Sequence, residues 1–177
     1  DGTDDSDVAT VSITVAPVND PPVAANDSYS VDEGGTLTVS AASGVLGNDT
    51  DAEQDTLTAV LVGDVSHGTL VLTSDGSFAY IHDGSETTTD SFTYKANDGT
   101  VDSVSANTIT VNVTSVNDAP TNIFMLPDTT LLEGQGFLLR AKKAFTDVDR
   151  GEFGTLSYST KNLPEGLRIN ATTGNIK

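Results

Sequence analysis

Across 177 residues the chain carries 26 acidic side chains against 8 basic ones, for a formal net charge of -18, and 36% of its residues are hydrophobic. That length and apolar content suit one or two small cores rather than one large enzyme domain, and the charge repels nucleic acid phosphates and anionic lipid surfaces, leaving cations as the favoured electrostatic partners. The absence of cysteine excludes a disulfide framework, a zinc-thiolate cluster and a thiol nucleophile, and no apolar run approaches the ~20 residues of a membrane span.

The charge is unevenly spread. Residues 1 to 120 hold 20 acidic residues and one basic residue, Lys95, whereas residues 121 to 177 hold 6 acidic and 7 basic. Like charge at this density opposes compaction unless salt or bound metal screens it, so cation-dependent stability is expected. The opening DGTDDSD is the opposite of a basic signal-peptide start, and any targeting signal is expected outside this stretch.

In chain order, residues 1–20 read as the tail of a preceding repeat that runs into the linker VNDPP, Val18 to Pro22. Paired Pro21 and Pro22 favour an extended, semi-rigid connection. Short runs of alternating character between turn residues then predict strands near 27 to 32, 36 to 41, 57 to 63, 69 to 73, 77 to 82, 91 to 97 and 107 to 115. Phe92 and Tyr94 alternate with Thr93 and Lys95, and Ile109, Val111 and Val113 alternate with Thr and Asn, so each strand has a core face and a wet face. The SDGS turn at Ser74 to Ser77 joins two of the runs as a tight hairpin. Seven strands in residues 21–118 predict a complete all-β sandwich of Ig-like, Greek-key type. Residues 119–177 read as the first part of a following, variant repeat supplying about five strands and lacking its last two.

Self-similarity supports that division. VNDPP recurs as VNDAP, Val116 to Pro120, at an offset of 98, and the same offset relates Asp49 and Asp51 to Asp147 and Asp149, Gly68 to Gly166, and Gly76 to Gly174. Glu33 in DEGG matches Glu133 in LEGQG at an offset of 100. DGTDDSDVATVSITV from Asp1 resembles DGTVDSVSANTITVNV from Asp98.

An up-and-down path through the strands sorts the acids to two poles. Asn19 and Asp20 of the first linker, Asp49, Asp51, Glu53 and Asp55 of the long loop after the second strand, and Asp98 are expected at the N-terminal pole. Glu33, Asp83, Glu86, Asp90, Asn117 and Asp118 are expected at the C-terminal pole, and the next repeat brings Asp147 and Asp149 to it. Calcium takes about 6 to 8 oxygen ligands at roughly 2.3 to 2.6 Å, which such clusters beside Pro-rich linkers suit better than they suit magnesium, with its strict octahedron and retained waters. The run DTDAEQD, Asp49 to Asp55, is not an EF-hand, because Gln54 stands where that loop needs glycine and Val60 where it needs glutamate.

The segments DEGGTLTV, GNDTDAEQDTLTAV, DGSFAY, DSFTYKANDGT and VNDAP together resemble the cadherin-like tandem repeats of large bacterial surface proteins, a group close to the VCBS repeats. The resemblance covers the complete repeat and both partial ones. It implies a secreted or cell-surface stalk or adhesin module, non-enzymatic, made rigid by calcium and partnered by neighbouring repeats of the same chain, with cell-surface or polysaccharide ligands engaged through other domains. By similarity to cadherins, Glu33, Asn117 with Asp118, and Asp147 with Asp149 would ligate one junction. The basic residues and LPEGLRINATTGNI segment of the last copy depart from the pattern and resemble an Ig-like variant of polysaccharide-active proteins.

The competing reading is a carbohydrate-binding accessory module stacking sugars on Tyr29, Phe78, Tyr80, Phe92 and Tyr94, but alternation in strands assigns most of these rings to the core. His67 and His82 are isolated and read as turn or surface residues, as do the carboxylates of Asp64, Asp75 and Asp102. Nothing builds a cleft that would set paired carboxylates in the different environments of a glycosidase.

Overall fold

The computed structural model describes residues 2–4, 7–123, 125, 130, 138–149, 156–161, 163 and 165–177. Seven strands fill the central part of the chain: β1 (Asp27–Asp32), β2 (Thr36–Val39), β3 (Thr58–Gly63), β4 (Gly68–Leu72), β5 (Phe78–His82), β6 (Thr89–Asn97) and β7 (Asn107–Thr114). They coincide with the seven expected from alternation, with small shifts at the ends. The second stops at Val39 because Ala41–Ser43 coils into one 3-10 turn, and the sixth begins at Thr89.

Two sheets result, one of four strands in the order β1-β7-β6-β3 and one of three in the order β2-β5-β4. The first and last strands lie side by side in parallel, Asp27 opposite Ile109 through Asp32 opposite Thr114, whereas the other pairings of the two sheets are antiparallel. Between the sheets lie Val45, Tyr80, Phe92, Tyr94, Ile109 and Val111, all essentially removed from solvent. Phe78 packs edge-on against Phe92 at 5.4 Å and against Tyr29 at 5.0 Å, an arrangement favoured by ring quadrupoles. The aromatic residues considered as a sugar platform are therefore core: Phe78, Tyr80, Phe92 and Tyr94 are at most 2% exposed.

Hydrogen bonds close the sandwich where side chains reverse direction. In the hairpin between β4 and β5, Gly76 has φ +83, and a side chain there would meet Leu46 at 2.9 Å; its carbonyl accepts from the Val45 amide at 3.0 Å. Gly174, 98 residues later, repeats the device with φ +64 and a carbonyl that accepts from Ala141 at 3.0 Å. Only glycine occupies such a position without strain.

Asp90 corrects an expectation. Expected in the loop cluster of the C-terminal pole, it lies instead in β6, is 6% exposed and accepts from the amides of Ser66 (3.0 Å), His67 (2.9 Å) and Ser91 (2.8 Å) and from the Tyr80 hydroxyl (3.0 Å). It pins the loop between β3 and β4 to β6. Asp75, exposed in the Ser74–Ser77 turn as expected, borders the same depression as Asp49, Asp51 and Asp55.

Beyond the second linker, β8 (Thr121–Asn122) pairs with β10 (Phe145–Thr146) and β9 (Leu139–Arg140) with β11 (Asn175–Ile176), around buried Ala141, Ala144 and Tyr158. Glu133, matched above to Glu33, lies outside the described residues. Ahead of Pro21, the described residues form no strand, and Val8, Val11, Ile13, Val15 and Val18 are exposed.

Replacing Phe92 by alanine should cost about 3 to 5 kcal/mol in denaturant unfolding. Asp90→Ala should cost about 2 to 4 kcal/mol because it leaves three amides and a buried hydroxyl without an acceptor, whereas Asp64→Ala on the surface should stay within about 0.5 kcal/mol. Burial raises the Asp90 carboxyl, but its hydrogen-bond donors outweigh burial and hold it below the usual range. A carboxyl depressed in the folded state contributes fully above its unfolded value of about 3.9 and loses that contribution as pH falls through the folded value. Stability measured from pH 6 to pH 2 should therefore fall more shallowly below about pH 4 in Asp90→Asn than in the native chain.

Candidate metal centre

The two sheets carry little charge on their strands, and the acids collect where the chain turns. At the C-terminal pole, the turn between β1 and β2 presents Glu33, whose amide bonds the Thr114 carbonyl at 2.9 Å. One Glu33 oxygen, Oε2, accepts from the Val116 amide at 3.2 Å, and the other, Oε1, is buried without a hydrogen-bond partner. The loop between β5 and β6 presents Glu86, and the linker presents Asp118. One carboxylate oxygen from each of Glu33, Glu86 and Asp118 lies within 4.8 Å of the other two.

The next segment reaches the same place. The Asp118 amide donates to Asp149 Oδ2 at 2.5 Å, and the Asp149 amide donates to Asp147 Oδ1 at 3.1 Å. Asp149 is 4% exposed and its Oδ1 is also buried without a partner. Asn117 turns its amide nitrogen back to the Asp118 carbonyl at 3.0 Å. Glu33, Asn117, Asp118, Asp147 and Asp149 are thus linked around one junction, together with Glu86.

Residues 1 to 120 hold one basic residue, Lys95, against 20 acidic ones. Two carboxylates at such separations near a surface repel by on the order of 1 to 3 kcal/mol, the lower end applying to the exposed Glu86 and Asp118. A buried carboxylate oxygen with no donor adds its own desolvation cost. A bound cation relieves both.

The N-terminal pole is arranged differently. Asn19 donates to Asp98 Oδ2 at 2.9 Å, while Asp98 Oδ1 accepts from the amides of Thr100 and Val101 at 2.7 Å each. The Val101 amide and then Asn19 hold the Asp98 carboxyl below its ordinary value. The Asp20 amide donates to Glu53 at 3.2 Å, and Asp51 Oδ1 accepts from the amides of Glu53 (3.1 Å) and Asp55 (3.0 Å) while its Oδ2 is buried and unpartnered.

Asp49 accepts from the Ala25 amide at 2.8 Å and from the Tyr94 hydroxyl at 2.9 Å. Burial pushes its carboxyl up despite these bonds, and burial followed by the Asp49 charge pushes up neighbouring Asp27. Tyr94 is raised by burial and then by Asp49. Among the described residues, no three carboxylates of this pole come as close together as Glu33, Glu86 and Asp118 do. Of the acids expected at this pole with Asn19, Asp49, Asp51 and Asp55 line one depression and Asp20 bonds Glu53, while Asp49 and Asp98 are also acceptors for the fold's own donors.

His82 was read as a turn or surface residue and is neither: it is 3% exposed and fully engaged at the C-terminal pole. Its signal was present in the alternation, because Phe78, Tyr80 and His82 share one face of β5.

A family model for the bacterial cadherin-like domain matches residues 19–115. No curated protein sequence matches the chain. Among solved structures, the protocadherin gammaB7 EC3-6 cis-dimer is similar with a TM-score of 0.62 and 17% identity, over 96% of this chain and 45% of that one. Human protocadherin-24 EC1-2 is similar with a TM-score of 0.57 and 17% identity, over 90% and 77% of the two chains. Human CDH23 EC21-23 gives 0.54 and 20% identity, over 85% and 55%. The chain spans about half the length of the protocadherin gammaB7 and CDH23 structures. At these identities the likeness is one of fold. With the family model covering more than half of its residues, the chain belongs to the bacterial cadherin-like domain family.

Proposed function

We propose that the chain is a calcium-stiffened spacer from an extracellular bacterial surface protein of the adhesin kind, in which residues 21–118 form one repeat, 119–177 begin the next and 1–20 end the one before. The observation that carries this reading is the approach of Glu33, Glu86 and Asp118 to within 4.8 Å across the linker, with Asp149 bonded to the Asp118 amide. Glu33 Oε1 and Asp149 Oδ1 supply buried, unpartnered oxygens, and Asn117, Asp118, Asp147 and Glu86 bring the donor set near the 6 to 8 oxygens that calcium takes. An ion held by both modules fixes the angle between them, and an array of such junctions projects a distant domain from the cell. No helix among the described residues is long and apolar enough to cross a membrane, which says nothing of a β-barrel.

Calcium at tenfold over its dissociation constant stabilises a singly occupied site by about 1.4 kcal/mol, which for a module of this size raises Tm by roughly 5 to 10 °C. Calorimetric melts in calcium and in EDTA should differ by that amount, and identical melts would remove calcium from the assignment. Glu33→Gln combined with Asp118→Asn should raise the calcium Kd at least tenfold by titration calorimetry, while Asp64→Asn leaves it unchanged; equal affinity in the double variant would place the ion elsewhere.

A further inference from the structure

One imidazole connects the two loops that carry the glutamates. His82 ends β5, and its Nδ1 accepts from the Gly34 amide at 3.1 Å and from the Gly84 amide at 3.2 Å, while its Nε2 lies 2.9 Å from the Thr87 hydroxyl. Two N–H donors on Nδ1 leave no room for a proton there, so the ring is the Nε2–H tautomer and donates to Thr87. Gly34 follows Glu33 and Thr87 follows Glu86, so the ring grips the residue immediately after each glutamate. Both glycines have positive φ, +64 and +79, and their backbones meet: a side-chain carbon on Gly34 would lie 3.9 Å from Gly84 Cα. The His82 amide adds a bond to the Gly35 carbonyl at 3.0 Å.

We propose that His82 is the positioning residue of the cation site, setting the spacing of the Glu33 and Glu86 carboxylates by clamping their loops together. This rests on the calcium reading above and extends it to a residue that touches no ion. A purely structural histidine would lower stability and leave cation affinity alone. A positioning histidine changes affinity according to whether the replacement keeps an acceptor at the Nδ1 place.

The test is calcium titration calorimetry on the full 177-residue chain, with melts in EDTA as the measure of fold. His82→Asn keeps a carbonyl oxygen where Nδ1 accepts and should stay within about threefold of the native Kd, whereas His82→Phe fills the space without an acceptor and should weaken binding at least tenfold. Thr87→Val, on the other side of the ring, should weaken binding about threefold to fivefold with an EDTA melt within a few degrees of native, and it decides the matter should His82→Phe fail to fold. Native affinity in His82→Phe, or in Thr87→Val when His82→Phe does not fold, overturns the proposal, as does equal loss in His82→Asn and His82→Phe. Absence of calcium binding by the native chain overturns the calcium reading and this proposal together; native binding with unaffected variants overturns this proposal alone.

Discussion

Carboxylates crowded around the linker that follows β7 are the constraint around which the rest of this chain is arranged. Asp27, Asp32 and Asp90 lie in strands, and the other acids of residues 21 to 118 lie in turns, loops and the linker, with Lys95 of β6 as the one basic side chain of residues 1 to 120. A buried carboxylate has three outcomes: it finds hydrogen-bond donors, it gives up its charge, or it finds a cation. The first two are visible in different residues of the same repeat.

Asp90 and Asp98 take the first route and are held in the ionised form by amides. Asp27 and Asp49 sit close enough to raise each other's cost, and burial pushes both toward the neutral form. Glu33 and Asp149 differ from these. Each spends one oxygen on a linker amide, Val116 or Asp118, and keeps the other buried with no donor. The bonds that fix these side chains come from the linker itself, so anything that engages their remaining oxygens also restrains the linker.

Much of the fold was legible in the sequence because a half-buried strand writes its pleat into an alternation of residue types, and turns write theirs into glycine, asparagine and aspartate. The repeated VND linkers and the 98-residue spacing relate Asn117 and Asp118 to Asn19 and Asp20, and Asp147 and Asp149 to Asp49 and Asp51. The sheet partners of each strand were not legible, and the parallel contact of β1 with β7 depends on long-range packing that alternation does not encode. Asp90 and His82 were misplaced although they stand in phase with Phe92 and Tyr80, respectively; polar residue type was allowed to outweigh position on a core face. Asp49 shows the remaining limit: an acid in a motif run reads as solvent-facing until a partner such as Tyr94, 45 residues away, is seen to claim it.

The most direct measurement is the distance distribution between the two modules with and without the ion. The chain has no native cysteine, so nitroxides placed at exposed Thr69 and Thr160 through cysteine substitution report that distance by pulsed electron resonance. A junction locked by calcium gives a narrow distribution in calcium and a broad one in EDTA. Distributions of the same width in both conditions would contradict a calcium-stiffened junction.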